Sequence, residues 1–284
     1  MISHDFKSME LKFIIDSKNI KRCFSFAKEI LTKEAQSSRD FGSIRRDIVD
    51  ATADTVEGKL AELVFRRFLR RSFDVDIEVD FEIYPSQRAV DFGQDAEKVK
   101  RAGQTMLNPC RIDVKATRAY SKWLLIEGHK FWADAYVSVA LDLPRDFEKD
   151  PDCVERAESV VAEVRGFAYY FDIIDPNTKE PWFLFKQGDT LFDPGELPPK
   201  VLENTEVRPA LLRSEVTRRV RNGKLRLMGR PLKAERNYGL PLDWLRNSES
   251  EWRYLSNMCT GSLLQSDDQV VLTHMGTGLK RRGN

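Results

Sequence analysis

The feature that most restricts the fold is a strict alternation of apolar and acidic residues in FDVDIEVDFEIYP, residues 73–85. Every odd position up to Ile83 is apolar, and every even position up to Glu82 is acidic. Successive side chains of a strand point to opposite faces, whereas a helix would spread these apolar residues around its circumference. The segment therefore predicts a half-buried strand that Pro85 ends, in a sheet with one covered face.

Helical spacing of apolar residues precedes this segment. It predicts one helix over residues 17–36 and a second over residues 54–71. In the second helix, Asp54 and Glu57 stand three residues apart, which is the spacing of a capping box at a helix start. The pattern therefore predicts an amphipathic helix that packs one face on the sheet. Its apolar stripe consists of Leu60, Ala61, Val64, Phe65, Phe68 and Leu69, and its water-facing residues are Lys59, Arg66, Arg67 and Arg70.

Further strand signals follow the alternating segment, and no internal repeat interrupts them. The apolar run at residues 135–143 is typical of a strand that is buried on both faces. Strands are also predicted at 111–117, at 123–128 as the partner of that strand, and at 166–174, with a partly helical charged segment at 144–163. The helices and strands together predict an α/β or α+β fold with a central mixed sheet flanked by helices.

Composition narrows the class of protein but not its partner. Of the 284 residues, 41% are hydrophobic and the formal net charge is only +1, so only local charge clusters can indicate nucleic acid. The four cysteines form no CxxC pair and no long apolar run is present, so we expect a cytoplasmic protein with reduced thiols and no membrane span. The distribution of residue types along the chain predicts three parts. These are a helical segment at 1–45, a core at 46–175, and a C-terminal mixed region at 176–284 that ends in a disordered basic tail.

The segment RIDVKAT, residues 111–117, carries the candidate chemistry. Asp113 and Lys115 are two residues apart in a predicted strand, so their side chains point to the same face. A carboxylate there suits a hard cation such as Mg²⁺, and an adjacent ammonium group positions or deprotonates water and stabilises phosphate charge. Asp91 in the earlier AVDFG segment offers a second acid at a spacing that fits a neighbouring strand. The alternative is an ion pair on a solvated face, which contributes only about 0–1 kcal/mol.

These residues, in this order, resemble the PD-(D/E)xK nuclease superfamily, which includes most type II restriction endonucleases. Asp91 is similar to the first acid of the family, and Asp113, Val114 and Lys115 are similar to its (D/E)xK triplet. Glu62 in GKLAE is similar to the acid that the family often carries on the preceding helix.

The resemblance covers roughly residues 50–175, and it departs from the family pattern at Val90, where the family usually has a proline. It implies a restriction-endonuclease-like core that uses Mg²⁺, for which Mn²⁺ can substitute. The implied metal ligands are Asp91, Asp113, Glu62 and the carbonyl of Val114, and the implied catalytic residues are Asp91, Asp113, Lys115 and Glu62.

Asp91 has two rivals as the first acid. Asp80 belongs to the alternating acids, which suit an exposed sheet face, and Asp95 lies further into the connecting loop. Asp91 follows two apolar residues, so we favour it over both.

The helix acid has one rival. Glu57 lies close to the centre of the apolar stripe, but the predicted capping box already accounts for it. Glu62 lies at the border of the stripe, where it can lean over a sheet edge, and its non-catalytic interpretation is an ion pair with Arg66 one turn later.

A basic segment at residues 213–236 contains nine basic residues against two acids. A surface that faces phosphates needs such an excess of cations, and its affinity falls with salt. We therefore predict that this segment contacts DNA. The assigned residues are Arg218, Arg219, Arg221, Lys224, Arg226 and Arg230.

The expected function is Mg²⁺-dependent hydrolysis of double-stranded DNA by a type II restriction enzyme. Residues 176–284 would supply target recognition, and a homodimer would match a symmetric duplex site. Two alternatives stay open. One is a repair or anti-phage nuclease that acts on structured or modified DNA, and the other is a non-catalytic DNA-binding protein in which the DVK triplet is structural.

Overall fold

The computed structural model describes residues 9–32, 48–82, 95–144, 146–147, 149–197, 209–225, 227–228 and 231–262, so the basic tail lies outside the described residues. The helices are α1 (Ser17–Thr32), α2 (Ile48–Phe73), α3 (Asp152–Glu155), α4 (Tyr170–Ile173), α5 (Pro209–Arg221) and α6 (Glu249–Cys259). The strands are β1 (Lys12–Asp16), β2 (Asp76–Ile77), β3 (Lys98–Arg101), β4 (Gln104–Leu107), β5 (Ile112–Arg118), β6 (Trp123–Glu127), β7 (Ala135–Asp142), β8 (Ser159–Tyr169), β9 (Phe183–Lys186), β10 (Leu191–Phe192), β11 (Leu227–Met228) and β12 (Arg236–Pro241). The four cysteines are all free thiols.

The centre of the protein is a four-stranded sheet in the order β1–β8–β7–β5. β5 runs parallel to β7, and β8 runs antiparallel to both β7 and β1, so the prediction of a mixed central sheet is confirmed. β7 is buried along nearly its whole length, as its apolar sequence predicts. Val137 and Val139 pack in the same core as α2, and Tyr136 on the opposite face packs in a second core with β6 and β12.

Helix α2 crosses the central sheet and places the candidate helix acid. Its buried residues include Val56, Leu60 and Phe68, which repeat at helical spacing. The predicted capping box is wrong, because the helix already begins at Ile48 and Glu57 lies within it. Glu57 instead forms an ion pair with Arg118 of β5, with 2.7 Å between Oε1 and Nη2.

The alternating segment is covered on one face but forms little sheet. Its described part contains only the two-residue strand β2, which pairs with β3, while Phe73 is still helical. Val75, Ile77 and Val79 are buried, and the acids between them are exposed or half-buried. The prediction of a covered face is confirmed and that of a long strand is wrong, because the apolar side chains pack on the core without a long partner strand.

Strand β6 does not pair with β5, contrary to the prediction. It pairs with β12 in a separate three-stranded sheet of order β6–β12–β9. Trp123 at its start is buried against the rings of Phe183, Phe185 and Phe192, with ring centroids 4.9–5.2 Å apart. This aromatic core explains the exchange of partner, because the apolar side chains of β6 serve the second sheet.

Strand β8 begins earlier than predicted and also ends earlier. It begins at Ser159, inside the segment predicted to be partly helical, and it ends at Tyr169. Its first half alternates between buried and more exposed positions, with Glu163 and Arg165 on the exposed face, which explains why its charges obscured the strand pattern. Residues after Tyr169 form the short helix α4, capped by Asp172.

The segments before and after the central strands both join the main core. β1 lies within the predicted N-terminal helical segment and forms an edge of the central sheet. Helix α6 of the C-terminal region places Trp252, which is fully buried, with its ring centroid 4.6 Å from those of Phe68 and Phe167. The C-terminal region therefore contributes directly to the core that supports β5.

Candidate active site

Asp113 and Lys115 form a buried ion pair on one face of β5. The distance between Asp113 Oδ2 and Lys115 Nζ is 2.6 Å, and only 9% and 16% of the two side chains are exposed. In the adjacent strand β7, Tyr136 and Ser138 stand beside them in register and are fully buried. The face is therefore not solvated, which removes the main support for an ordinary surface ion pair.

The Asp113 carboxylate is incompletely satisfied within the described residues. Asp113 is 6% exposed, and its Oδ2 accepts no well-aligned hydrogen bond, although Lys115 Nζ is close to it. The approach of Lys115 is thus that of an ion pair and not of a directed hydrogen bond. A buried carboxylate oxygen in this condition is costly unless a further cation or donor reaches it.

Asp95 occupies the open edge of β5. Its backbone N–H donates to the carbonyl of Ile112 at 3.0 Å, and its Oδ2 accepts a 2.6 Å hydrogen bond from Val114 N–H. Among the described strands β5 is the last of the central sheet, so Asp95 takes the place that a further strand would occupy. In a strand, the N–H and C=O of one residue point to the same side, so the Val114 carbonyl also points to this edge.

The surroundings of Asp95 disfavour its negative charge. Burial contributes most, and the neighbouring carboxylates of Glu62 and Asp113 add to it, so the pKa of the Asp95 carboxyl is raised well above its ordinary value. The Val114 hydrogen bond and the Lys59 ammonium group act in the opposite direction. The three acids Asp95, Asp113 and Glu62 therefore interact as one electrostatic cluster.

Glu62 reaches this cluster from α2 and is 6% exposed. Both of its carboxylate oxygens accept hydrogen bonds from Lys59 Nζ, at 2.7 and 2.9 Å. The predicted alternative partner, Arg66, binds Asp76 instead through two hydrogen bonds of 2.6 and 2.9 Å. The prediction that Lys59 faces water is wrong, since only 13% of its side chain is exposed.

The structure describes two of the three candidates for the first acid. Asp91, the favoured residue, lies outside the described residues. Asp80 is exposed, and Asp95 stands at the edge of β5 beside Asp113. Asp95 is therefore the described residue with the position required of a second acid, and its spacing of 18 positions before Asp113 (113 − 95) was the available sequence signal.

The donor set suits a hard divalent cation. Asp95 and Asp113 offer carboxylate oxygens, one of them without a directed hydrogen bond, and Val114 offers a carbonyl at the same edge. Among the described residues, no group of three or more His, Cys, Asp and Glu side chains is arranged as a metal centre. The oxygen atoms of two side chains and one backbone carbonyl at this edge are of the chemical type that Mg²⁺ prefers.

Some residues of the basic segment form ion pairs within the protein. Arg218 and Arg219 both bind Glu215 on helix α5, and their side chains are 60% and 20% exposed. Arg221 and Lys224 are exposed. Arg226 and Arg230 lie outside the described residues, so the structure does not place these two predicted DNA contacts.

The basic segment also contacts the helix that carries Glu62. Lys233 pairs with Asp50 near the start of α2. Asp50 and Glu62 are separated by about 18 Å along the helix axis, at 1.5 Å per residue. Lys233 therefore links this segment to the start of the helix that carries Glu62.

No protein-family model, no curated protein and no solved structure matches this chain. Within the described part of the chain, no helix combines the length and the apolar character needed to cross a membrane.

Proposed function

We propose that the protein is a Mg²⁺-dependent endonuclease that hydrolyses double-stranded DNA and has a restriction-endonuclease-like core. The observation that carries the proposal is that Asp95, bonded to the edge of β5, lies in the electrostatic field of both Glu62 and Asp113, and that Asp113 is paired with Lys115. Burying three acids and a lysine destabilises a fold, but such a group is suited to holding a cation against a phosphate. The mixed sheet flanked by α2 supports the same assignment.

In this proposal Asp113 and Asp95 hold the metal together with the Val114 carbonyl. Bound Mg²⁺ would supply Lewis-acid stabilisation of the negative charge that builds up on the phosphate. Lys115 Nζ is held 2.6 Å from Asp113, so it orients and activates the attacking water beside the scissile bond. By the family resemblance, cleavage leaves 5′-phosphate and 3′-hydroxyl ends.

We further propose that the enzyme is a homodimeric type II restriction enzyme that recognises its target through residues 176–284. Exposed Arg221 and Lys224 on and after α5 support phosphate contact by this region. A two-fold dimer matches the symmetry of a duplex site.

The test is cleavage of a panel of unmodified and methylated plasmid and phage DNAs in Mg²⁺ or EDTA. The full chain is compared with Asp113→Asn, Asp95→Asn and Asp91→Asn, and Asp80→Asn is the control, since Asp80 is the rival acid that is exposed to solvent. We expect discrete Mg²⁺-dependent fragments from the wild type and from Asp80→Asn. Loss of cleavage in Asp113→Asn and Asp95→Asn but not in Asp91→Asn would identify Asp95 as the first acid.

Other outcomes would select the alternatives. Cleavage of methylated or branched DNA alone would indicate a defence or repair nuclease with the same site. Absence of cleavage on every substrate, with DNA binding that is equal in Mg²⁺ and EDTA and in Asp113→Asn, would refute the nuclease and favour a DNA-binding protein.

A further inference from the structure

Lys59 is a largely buried cation at the candidate active site. Its Nζ lies 5.4 Å from the ring centroid of Phe26 and 5.9 Å from that of Phe81, and these two rings pack edge to face. The same ammonium group donates to both oxygens of Glu62. The exposed Arg22 lies over the Phe81 ring, at 3.9 Å from its centroid. Lys59 is therefore fixed by two aromatic faces and by a carboxylate.

This arrangement differs from an ordinary pair on a helix surface. A lysine and a glutamate three residues apart are usually solvated and contribute little. Here the two side chains are only 13% and 8% exposed, and the glutamate contributes to the field at Asp95. The pair is thus part of the acid cluster at the edge of β5.

The balance of charge in the cluster limits how many divalent cations it accepts. Among the described residues, the three acids Asp95, Asp113 and Glu62 and the two ammonium groups of Lys59 and Lys115 carry a net charge of −1 when every group is ionised. One divalent cation converts this to +1, which matches a single phosphodiester charge. A second divalent cation would need Glu62 as a ligand, but Lys59 binds both of its oxygens.

We propose that Lys59 is a positioning residue whose ammonium group takes the place of a second divalent cation, so that the site binds one Mg²⁺ per chain. The inference rests on the proposed function, since it concerns the metal of that same site. Lys59 holds Glu62 through hydrogen bonds to both of its oxygens, and it leaves Asp95 and Asp113 as the carboxylate ligands. Removing the ammonium group takes away its positive charge and the two hydrogen bonds that it donates to Glu62, which favours binding of a second cation.

The experiment counts Mn²⁺ bound per chain by the loss of the free Mn²⁺ signal in electron paramagnetic resonance, with the full chain and no DNA. We expect one Mn²⁺ for the wild type and for Lys59→Arg, which keeps the charge. Lys59→Met and Lys59→Gln should each bind two, and the double variant Lys59→Met with Glu62→Gln should return to one. Lys28→Met is the control, because Lys28 is an exposed lysine that pairs with Glu155 on another helix.

The proposal is overturned if the wild type binds two Mn²⁺, or if the folded Lys59 variants bind one or none. Two neutral replacements are used so that loss of folding in one of them, detected by circular dichroism, leaves the other to decide. Failure of the proposed function looks different: the wild type would bind no Mn²⁺, or its single Mn²⁺ would persist in Asp113→Asn. A single Mn²⁺ that Asp113→Asn abolishes, with no second one in the Lys59 variants, refutes only the role of Lys59.

Discussion

Replacing Asp95 with asparagine is expected to stabilise the metal-free protein while it abolishes cleavage. The amide oxygen of asparagine can still accept the 2.6 Å hydrogen bond that Val114 N–H donates, so the contact survives and only the charge is lost. That charge is unfavourable, because burial and then the carboxylates of Glu62 and Asp113 raise the pKa of Asp95 well above its ordinary value of 3.8.

The size and sign of the effect follow from proton linkage. The folded state holds the Asp95 proton more tightly than the unfolded state does, so the wild type loses stability as pH rises from about 4 through the raised pKa. A rise of one pKa unit corresponds to about 1.4 kcal/mol. We therefore expect Asp95→Asn to raise the free energy of unfolding at neutral pH, with a melting temperature higher by about 2–4 °C for each kcal/mol gained.

The assay is urea unfolding in EDTA between about pH 5 and pH 8, with Asp142→Asn as the control because Asp142 is exposed at the end of β7. The advantage of Asp95→Asn should grow with pH, whereas the control should stay within about 0.5 kcal/mol of the wild type. Added Mg²⁺ should stabilise the wild type, by about 2.7 kcal/mol at 100 times its Kd, and leave Asp95→Asn unchanged. A variant that is no more stable than the wild type at pH 7 in EDTA, or an advantage that is constant with pH, would refute this reasoning.

Three further predictions concern the ion pair, the DNA surface and the core. Asp113→Asn should abolish cleavage and, unlike Asp95→Asn, destabilise the metal-free protein by about 1–3 kcal/mol in urea unfolding, because it leaves Lys115 buried without its anion. Arg221→Ala and Lys224→Ala should each lower the slope of log affinity against log salt by about 1 in a DNA-binding titration, since both cations are exposed; an unchanged slope would exclude phosphate contact. Trp252→Ala should cost about 3–5 kcal/mol in a single unfolding transition, because its buried ring contacts α2 and β8; a loss confined to a separate C-terminal transition would contradict the shared core.

The local sequence pattern alone predicted three elements close to their observed positions. β5 and β7 lie within about one residue of their predicted bounds, and α1 begins at the predicted residue 17. β8 was only partly predicted, because Glu163 and Arg165 stand on its more exposed face and read as a charged segment. The sequence pattern also could not predict the partner of β6, because the side chains of a strand alternate in the same way whichever strand lies beside it.

The sequence predicted the Asp113–Val114–Lys115 triplet of the candidate site, but only some of the residues around it. Asp113 and Lys115 share a face because a strand has a period of two, and that is a local property. Asp95 reaches β5 through contacts that no local pattern encodes, namely its bonds to Ile112 and Val114. Lys59 was misjudged because its position on the helix borders the apolar stripe, while its burial depends on Phe26 of another helix and on Phe81.

Asp95 both bonds to the edge of β5 and supplies a carboxylate to the candidate site, so it affects the stability of the fold as well as the proposed chemistry. An open strand edge needs partners for its N–H and C=O groups, and a further strand would supply them without placing charge in the sheet. Asp95 supplies them with one backbone N–H and one carboxylate, and it thereby sets a negative charge beside Asp113 and Glu62. This charge is unfavourable without a bound cation, which is why, under the proposed function, the same substitution should stabilise the metal-free protein and abolish cleavage.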